Sequence, residues 1–281
     1  MKFGAMNSPF ENVLDEMKSV ASMGFDYMEL TIEKPHSSVD ILSSLKKEII
    51  SLARSYEISL LGHIPQSFDL GPPYYIQLTS ASEEFVQRIE KAIQLARELD
   101  IDLISMHPPM LRRDHEVDER RILRQYIVAA SQLITQAEDA GCTISIENMD
   151  EESFTNEDFE ELFKRVPGLG FTLDIGHANI GKLTNSSVSY LVQFGERLRH
   201  VHVSDNLGGY GDLHLPVGAG IIQFDKIFNV IRGMQYDRTM TLEVFSPDRT
   251  YLRMSRDKIA EVLGTRPFNS QVPEGGKVAQ P

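Results

Sequence analysis

The chain has 281 residues, 41% hydrophobic and 25% charged, with 28 Lys+Arg against 41 Asp+Glu and a formal net charge of −13. This composition excludes a disordered chain, and no apolar run approaches the ~20 residues of a membrane span. The acidic balance argues against non-specific binding to nucleic acid or an anionic membrane. A lone cysteine, Cys142, makes no intrachain disulfide, and Met1-Lys2-Phe3-Gly4 enters a short strand without a signal-peptide core. A cytoplasmic protein is therefore expected.

In chain order, short β-branched or apolar runs alternate with longer stretches of helical spacing. The strand-like runs cover 2–6, 26–30, 58–63, 102–107, 143–147, 170–174, 200–204 and 239–245. Helices are expected over 10–23, 39–56, 82–99, 116–140, 156–165, 186–196, 224–234 and 248–263. In the third of these, Phe85, Ile89, Ala92, Ile93 and Ala96 form one stripe of a 3.6-residue period. Ser82 with Glu83 and Glu84, and Asn156 with Glu157 and Asp158, read as helix starts, and Gly24, Gly141 and Gly170 as helix-to-strand stops.

Strand–helix alternation means parallel strands joined by crossovers, and eight unbroken units predict a single (β/α)8 barrel over 1–265. An open dinucleotide-binding sheet would carry a glycine-rich loop after its first strand, where this chain reads Asn7-Ser8-Pro9. Residues 266–281, rich in Pro, Gly and polar side chains, read as a flexible tail.

Function in a barrel collects where strands end, because the following loops share one open face. Strand three ends at His63, strand four at His107, strand five at Glu147 and strand six at Asp174, with His177 three residues on. Strand seven carries His202, its loop Asp212 and His214, and strand eight Glu243. Five of the eight histidines and four carboxylates thus converge on one rim. Carboxylates so close would repel and take up protons, a conflict that a divalent cation removes. Mixed carboxylate and imidazole donors suit zinc, manganese, cobalt or iron, and an oxygen-rich subset also admits magnesium. His200, deeper in the barrel, reads as a packed, hydrogen-bonded histidine, and Met6, Met28 and Met106 as core fillers.

These residues carry a resemblance. Asp174-x-x-His177, His202-x-x-Asp205 and Asp212-x-His214 followed by Gly218 and Gly220 resemble the xylose-isomerase-like barrel superfamily over about 1–263. That superfamily holds sugar and sugar-phosphate isomerases and epimerases, inosose dehydratases and endonuclease IV. The resemblance implies one metal on Glu147, Asp174, His202 and Glu243, with the two glutamates trading a substrate proton through an enediolate. In endonuclease IV, three zincs use those four residues and five more, which match His63, His107, His177, Asp212 and His214. The resemblance thus leaves one metal or three open.

Two departures separate the alternatives. The sugar epimerases place an Arg shortly after the strand-seven His, where this chain has Leu207-Gly208-Gly209-Tyr210. The endonuclease faces phosphates with basic residues, whereas Ile64 to Glu84 carries Phe68, Tyr74 and Tyr75 but no Lys or Arg. Such aromatics suit a lid over a small substrate better than a DNA clamp. Arg112, Arg113, Arg120, Arg121 and Arg124, interspersed with Asp114, Glu116, Asp118 and Glu119, read as a solvated face. The expected function is a metal-dependent isomerase or epimerase acting on a sugar, sugar phosphate or related polyol. The alternatives are an endonuclease IV-like three-zinc phosphodiesterase acting on abasic DNA, and a barrel that binds a sugar or metal without turning it over. Barrels of this kind often pair, which leaves a homo-oligomer open.

Overall fold

The computed structural model describes residues 1–65, 83–109, 119–150 and 154–264. Eight parallel strands close in sequence order into one barrel: β1 (Lys2–Met6), β2 (Tyr27–Thr31), β3 (Ser59–Ile64), β4 (Leu103–Met106), β5 (Thr143–Glu147), β6 (Gly170–Asp174), β7 (Leu198–Val203) and β8 (Thr239–Leu242). Around them lie α1 (Val13–Ser22), α2 (Val39–Ser44), α3 (Lys46–Tyr56), α4 (Glu83–Glu98), α5 (Glu119–Asp139), α6 (Asn156–Arg165), α7 (Ser187–Phe194), α8 (Phe224–Gly233) and α9 (Thr250–Leu263). The fold is the (β/α)8 barrel that the alternation of periods predicts. Among the described residues, no helix is long and apolar enough to cross a membrane. The aromatic segment 66–82, the arginines at 112 and 113, and the tail 266–281 lie outside the described residues.

Local chemistry accounts for the element ends. Asn12, rather than residue 10, starts α1: its side chain accepts from Leu14 N–H at 3.0 Å and Asp15 N–H at 3.3 Å. Thr155 and Asp158 form a reciprocal capping box on α6, a device of about 1 kcal/mol. The single helix expected over 39–56 is two. Leu45 leaves helical geometry at φ −95° and ψ 7°; its N–H still donates to Ile41 O at 3.0 Å, a carbonyl that also accepts the Ser44 hydroxyl at 2.7 Å. Gly24 and Gly141 do take left-handed stops, at φ 78° and 76°, whereas Gly170 lies inside β6.

Among the described residues, two apolar regions result. The large core fills the ring between strands and helices and includes Ile89, Ala92, Ile93 and Ala96 of the α4 stripe. A second, small cluster of Tyr27, Leu61 and Leu103 plugs the barrel floor. Gly4 makes room for it, since a Cβ there would collide with the Tyr27 ring. Above this plug the lumen is polar. Ser105 Oγ donates to Thr172 Oγ1 at 3.0 Å, and Thr172 Oγ1 to Ser145 Oγ at 2.8 Å. These small side chains leave headroom under the rim, where alternation along β5 brings Glu147 to the same face as Thr143 and Ser145. Arg120, Arg121 and Arg124 are exposed on α5.

Candidate metal centre and active site

All nine rim residues meet. Glu147 is the hub: its Oε1 lies 2.9 Å from His177 Nδ1, and its Oε2 lies 3.0 Å from His202 Nδ1, 3.5 Å from His107 Nε2 and 3.8 Å from His63 Nδ1. His202 Nδ1 is also 3.4 Å from Glu243 Oε1 and 3.9 Å from Asp174 Oδ2. Asp212 Oδ2 accepts from His177 Nε2 at 3.1 Å and from His214 Nε2 at 2.9 Å, and His214 Nδ1 faces Glu243 Oε2 at 3.6 Å. His107 and Glu243 lie one residue past their strands, but both continue the ladder: His107 N–H donates to Ile64 O at 3.2 Å and Glu243 N–H to Val203 O at 3.1 Å.

The motif spacings have local causes. In Asp174-x-x-His177, the His177 N–H donates to Asp174 Oδ1 at 2.5 Å, which pins one carboxylate oxygen and leaves Oδ2 free for the cleft. The intervening Gly176 packs close under Ser204, whose hydroxyl would have to turn away to admit a Cβ there. Asn148 locks the Asp174 backbone from β5: its Oδ1 accepts from Asp174 N–H, and its Nδ2 donates to Asp174 O, both at 2.8 Å. In His202-x-x-Asp205, the aspartate organises a loop. It accepts from the N–H groups of Asn206 at 2.9 Å, Gly218 at 2.8 Å, Gly220 at 3.0 Å and Ile222 at 3.1 Å. That fold, closed by a two-way backbone bridge between Asp205 and Leu215, carries Asp212 and His214 to the rim. His214 sits at φ +44°, a left-handed conformation uncommon outside glycine, with its ring 4.9 Å edge-on from Phe245.

Burial and crowding set the protonation of the metal-free cluster. Burial alone would raise the Glu147 carboxyl, but His202 and His107, with hydrogen bonds from His107 and His177, hold it well below the usual range. Glu243 is pushed up to about 8 by burial, and the charges of Glu147 and Asp174 add to the push. Asp174 is raised by burial and by Glu147. Burial would lower His202 and His177, yet their facing carboxylates keep both well above an ordinary imidazole. His214 is raised to about 9 against burial, chiefly by Asp212, which is itself held low by His177 and His214 despite partial desolvation. His63 is driven well down by burial and by neighbouring His107.

The donor set fits a divalent cation. One ligand atom each from Glu147, Asp174, His202 and Glu243 lie within 4.8 Å of one another. Asp174 Oδ2, His202 Nδ1 and His63 Nδ1 are buried without a hydrogen bond of good geometry. Buried polar atoms are nearly always satisfied, so several orphans aimed at one point mark a place that a ligand completes. His63–Glu147–His202 and His107–Glu147–His177 also bring three donors within that range.

One residue of the cluster was not anticipated. Glu29, in the middle of β2, is fully buried beneath the rim and accepts from His200 Nε2 at 2.9 Å and His202 Nε2 at 3.1 Å. The available signal was a lone carboxylate inside an otherwise uncharged strand, Tyr27-Met28-Glu29-Leu30-Thr31, where a charge needs a partner. Glu29 is held well below the usual range: burial would raise it, but His202 and His200 outweigh that. His200 is the packed histidine expected, with Nδ1 2.7 Å from Thr239 Oγ1.

A closed parallel barrel with acidic and imidazole side chains gathered at the carboxyl rim defines a class of barrel enzymes, and family comparison agrees. Residues 17–263 match the xylose isomerase-like TIM barrel model, and the chain belongs to that family. It is 31% identical to an uncharacterized protein of Methanocaldococcus jannaschii, covering 93% of this chain and 92% of that one. It is 24% identical to fructoselysine 3-epimerase of Shigella flexneri, covering 92% and 95%. Among solved structures, a D-tagatose 3-epimerase-like protein superposes with a TM-score of 0.77 at 28% identity, covering 94% of this chain and 97% of that one.

Proposed function

We propose that the protein is a divalent-metal-dependent epimerase or isomerase of a sugar, sugar phosphate or related polyol. The observation that carries this reading is the meeting of Glu147, Asp174, His202 and Glu243 around orphaned donor atoms. Manganese, cobalt, zinc and magnesium all suit such donors. When bound, the ion supplies Lewis acidity to a substrate carbonyl and its neighbouring hydroxyl.

The chain's own carboxyls move the proton. Glu147 and Glu243 come from strands that are not neighbours in the barrel, so a carbon held between them can be approached from two sides. Without the ion, burial and neighbouring charges shift the two carboxyls oppositely, Glu147 down and Glu243 up; a bound cation favours the ionised form of both. One of the two carboxylates accepts the carbon-bound proton, leaving an enediolate, and the other, having taken a proton from solvent, delivers it to the opposite face. The result is inversion at that carbon; return to the adjacent carbon gives isomerisation. The names of the two 3-epimerase relatives support inversion at carbon 3 of a ketose. His63, His107 and His177 orient substrate hydroxyls or a phosphate, and Asp212 holds His177 and His214 in place.

A second reading keeps a specific observation: two further three-donor groups share Glu147, as a multi-zinc phosphodiesterase acting on abasic DNA would need. Element-resolved metal analysis, followed by NMR of a ketose panel in deuterated water, separates the two. One metal per chain and a single deuteron incorporated beside the ketose carbonyl are expected. Three zincs, no deuterium exchange and cleavage of an abasic duplex would overturn the epimerase.

A further inference from the structure

We propose that Glu29 is a positioning residue for the metal site: by accepting from His202 Nε2–H it reserves Nδ1, the nitrogen that faces Glu147, Asp174 and Glu243, for a metal ion. This rests on the metal-holding reading of those residues and not on the identity of the sugar.

Proton accounting leads there. An ionised carboxylate only accepts. Glu29 Oε2 accepts from Thr241 Oγ1 at 2.5 Å and from His200 Nε2 at 2.9 Å, while Oε1 accepts from His202 Nε2 at 3.1 Å. Both imidazoles must therefore donate from Nε2. Thr241 spends its proton on Glu29, so its oxygen accepts from the Tyr27 hydroxyl at 2.9 Å. His200 Nδ1 accepts from Thr239 Oγ1 at 2.7 Å. Every member of this lower network has a partner, and the network ends at His202 Nδ1, which makes no hydrogen bond of good geometry and faces Glu147 Oε2 at 3.0 Å. Glu29, His200 and His202 are fully buried, so bulk water does not reach them. The His202 ring is also held between His200, 4.7 Å away at 87°, and His63, 5.3 Å away. Histidine ligands are commonly oriented by a carboxylate on their far nitrogen, and loss of that partner costs about 10–100-fold in metal affinity. A glutamine at position 29 offers one acceptor and one amide donor, and cannot accept from Thr241 and both imidazoles.

The test uses full-length wild type and Glu29→Gln, titrated with Zn(II) against a competing chelator, with long-range 1H–15N NMR of the Zn(II)-loaded proteins. In wild type, His202 is expected to bind through Nδ1 and to keep a slowly exchanging Nε2–H. The folded variant should bind Zn(II) about 10–100-fold more weakly and lose that proton's protection. Equal affinity in a folded Glu29→Gln, or wild-type His202 bound through Nε2, overturns the assignment while leaving the rim reading intact. If the variant does not fold, the wild-type tautomer decides alone. If wild type binds no Zn(II), the rim reading and this inference fall together.

Discussion

Glu29 and Glu147 are carboxylates buried inside one barrel, and they face opposite nitrogens of the same imidazole, His202. Around Glu29 each hydrogen-bonding atom has a mate: Thr241, His200 and His202 donate to it, and Tyr27 and Thr239 close the ends. Around Glu147 the donors outnumber their partners, and Asp174 Oδ2 and His202 Nδ1 remain orphaned. Leaving such a group buried and unpaired costs about 1–3 kcal/mol. The two layers share residue types, burial and charge; what separates them is satisfaction. A complete network rigidifies the barrel floor, whereas the rim presents donor atoms of the kinds a divalent cation takes.

The largest expected effect breaks the upper layer. Glu243→Gln keeps the side-chain volume but cannot exchange a proton, so ketose deuterium exchange should fall by ~10²–10⁴-fold while thermal unfolding stays cooperative. Full activity in that variant removes Glu243 from the chemistry. The second concerns pH. In the metal-free protein Glu243 holds a proton up to about 8 and His202 is charged well above its ordinary range. A cation must displace those protons, so affinity rises with pH, by about tenfold per unit for each proton released, and flattens once both groups are bare. Calorimetry in buffers of different ionisation enthalpy counts the protons; release of none at pH 6 contradicts the assignment.

Smaller effects sharpen the contrast from the satisfied side. Asp205→Asn weakens a carboxylate that gathers four backbone N–H groups. It should cost about 2–4 kcal/mol in denaturant unfolding, hydrogen bonds to charge being the stronger kind. Tyr27→Phe removes only the outer donor of the floor network. It should cost about 1 kcal/mol and leave Zn(II) affinity within twofold. A large loss of affinity there would show that the floor and the rim are less separable than their hydrogen bonds indicate.

The sequence by itself determined the eight-unit barrel and most of the rim, because both are written in local order. Strand and helix periods are readable within a few residues, and in a barrel any polar residue at a strand's carboxyl end must arrive at the same face. His63, His107, Glu147, Asp174, His202 and Glu243 could be named on that ground alone. The break at Leu45 was not readable, since it is a change in one residue's backbone angles inside a continuous helical pattern. Nor was Glu29. It meets His200 and His202 across 171 and 173 residues of chain, and which side chains face one another across the lumen is set by closure and register. Tertiary structure alone decided which buried charges complete each other and which are left open, because hydrogen-bond satisfaction depends on ångström-scale distances between strands far apart in sequence.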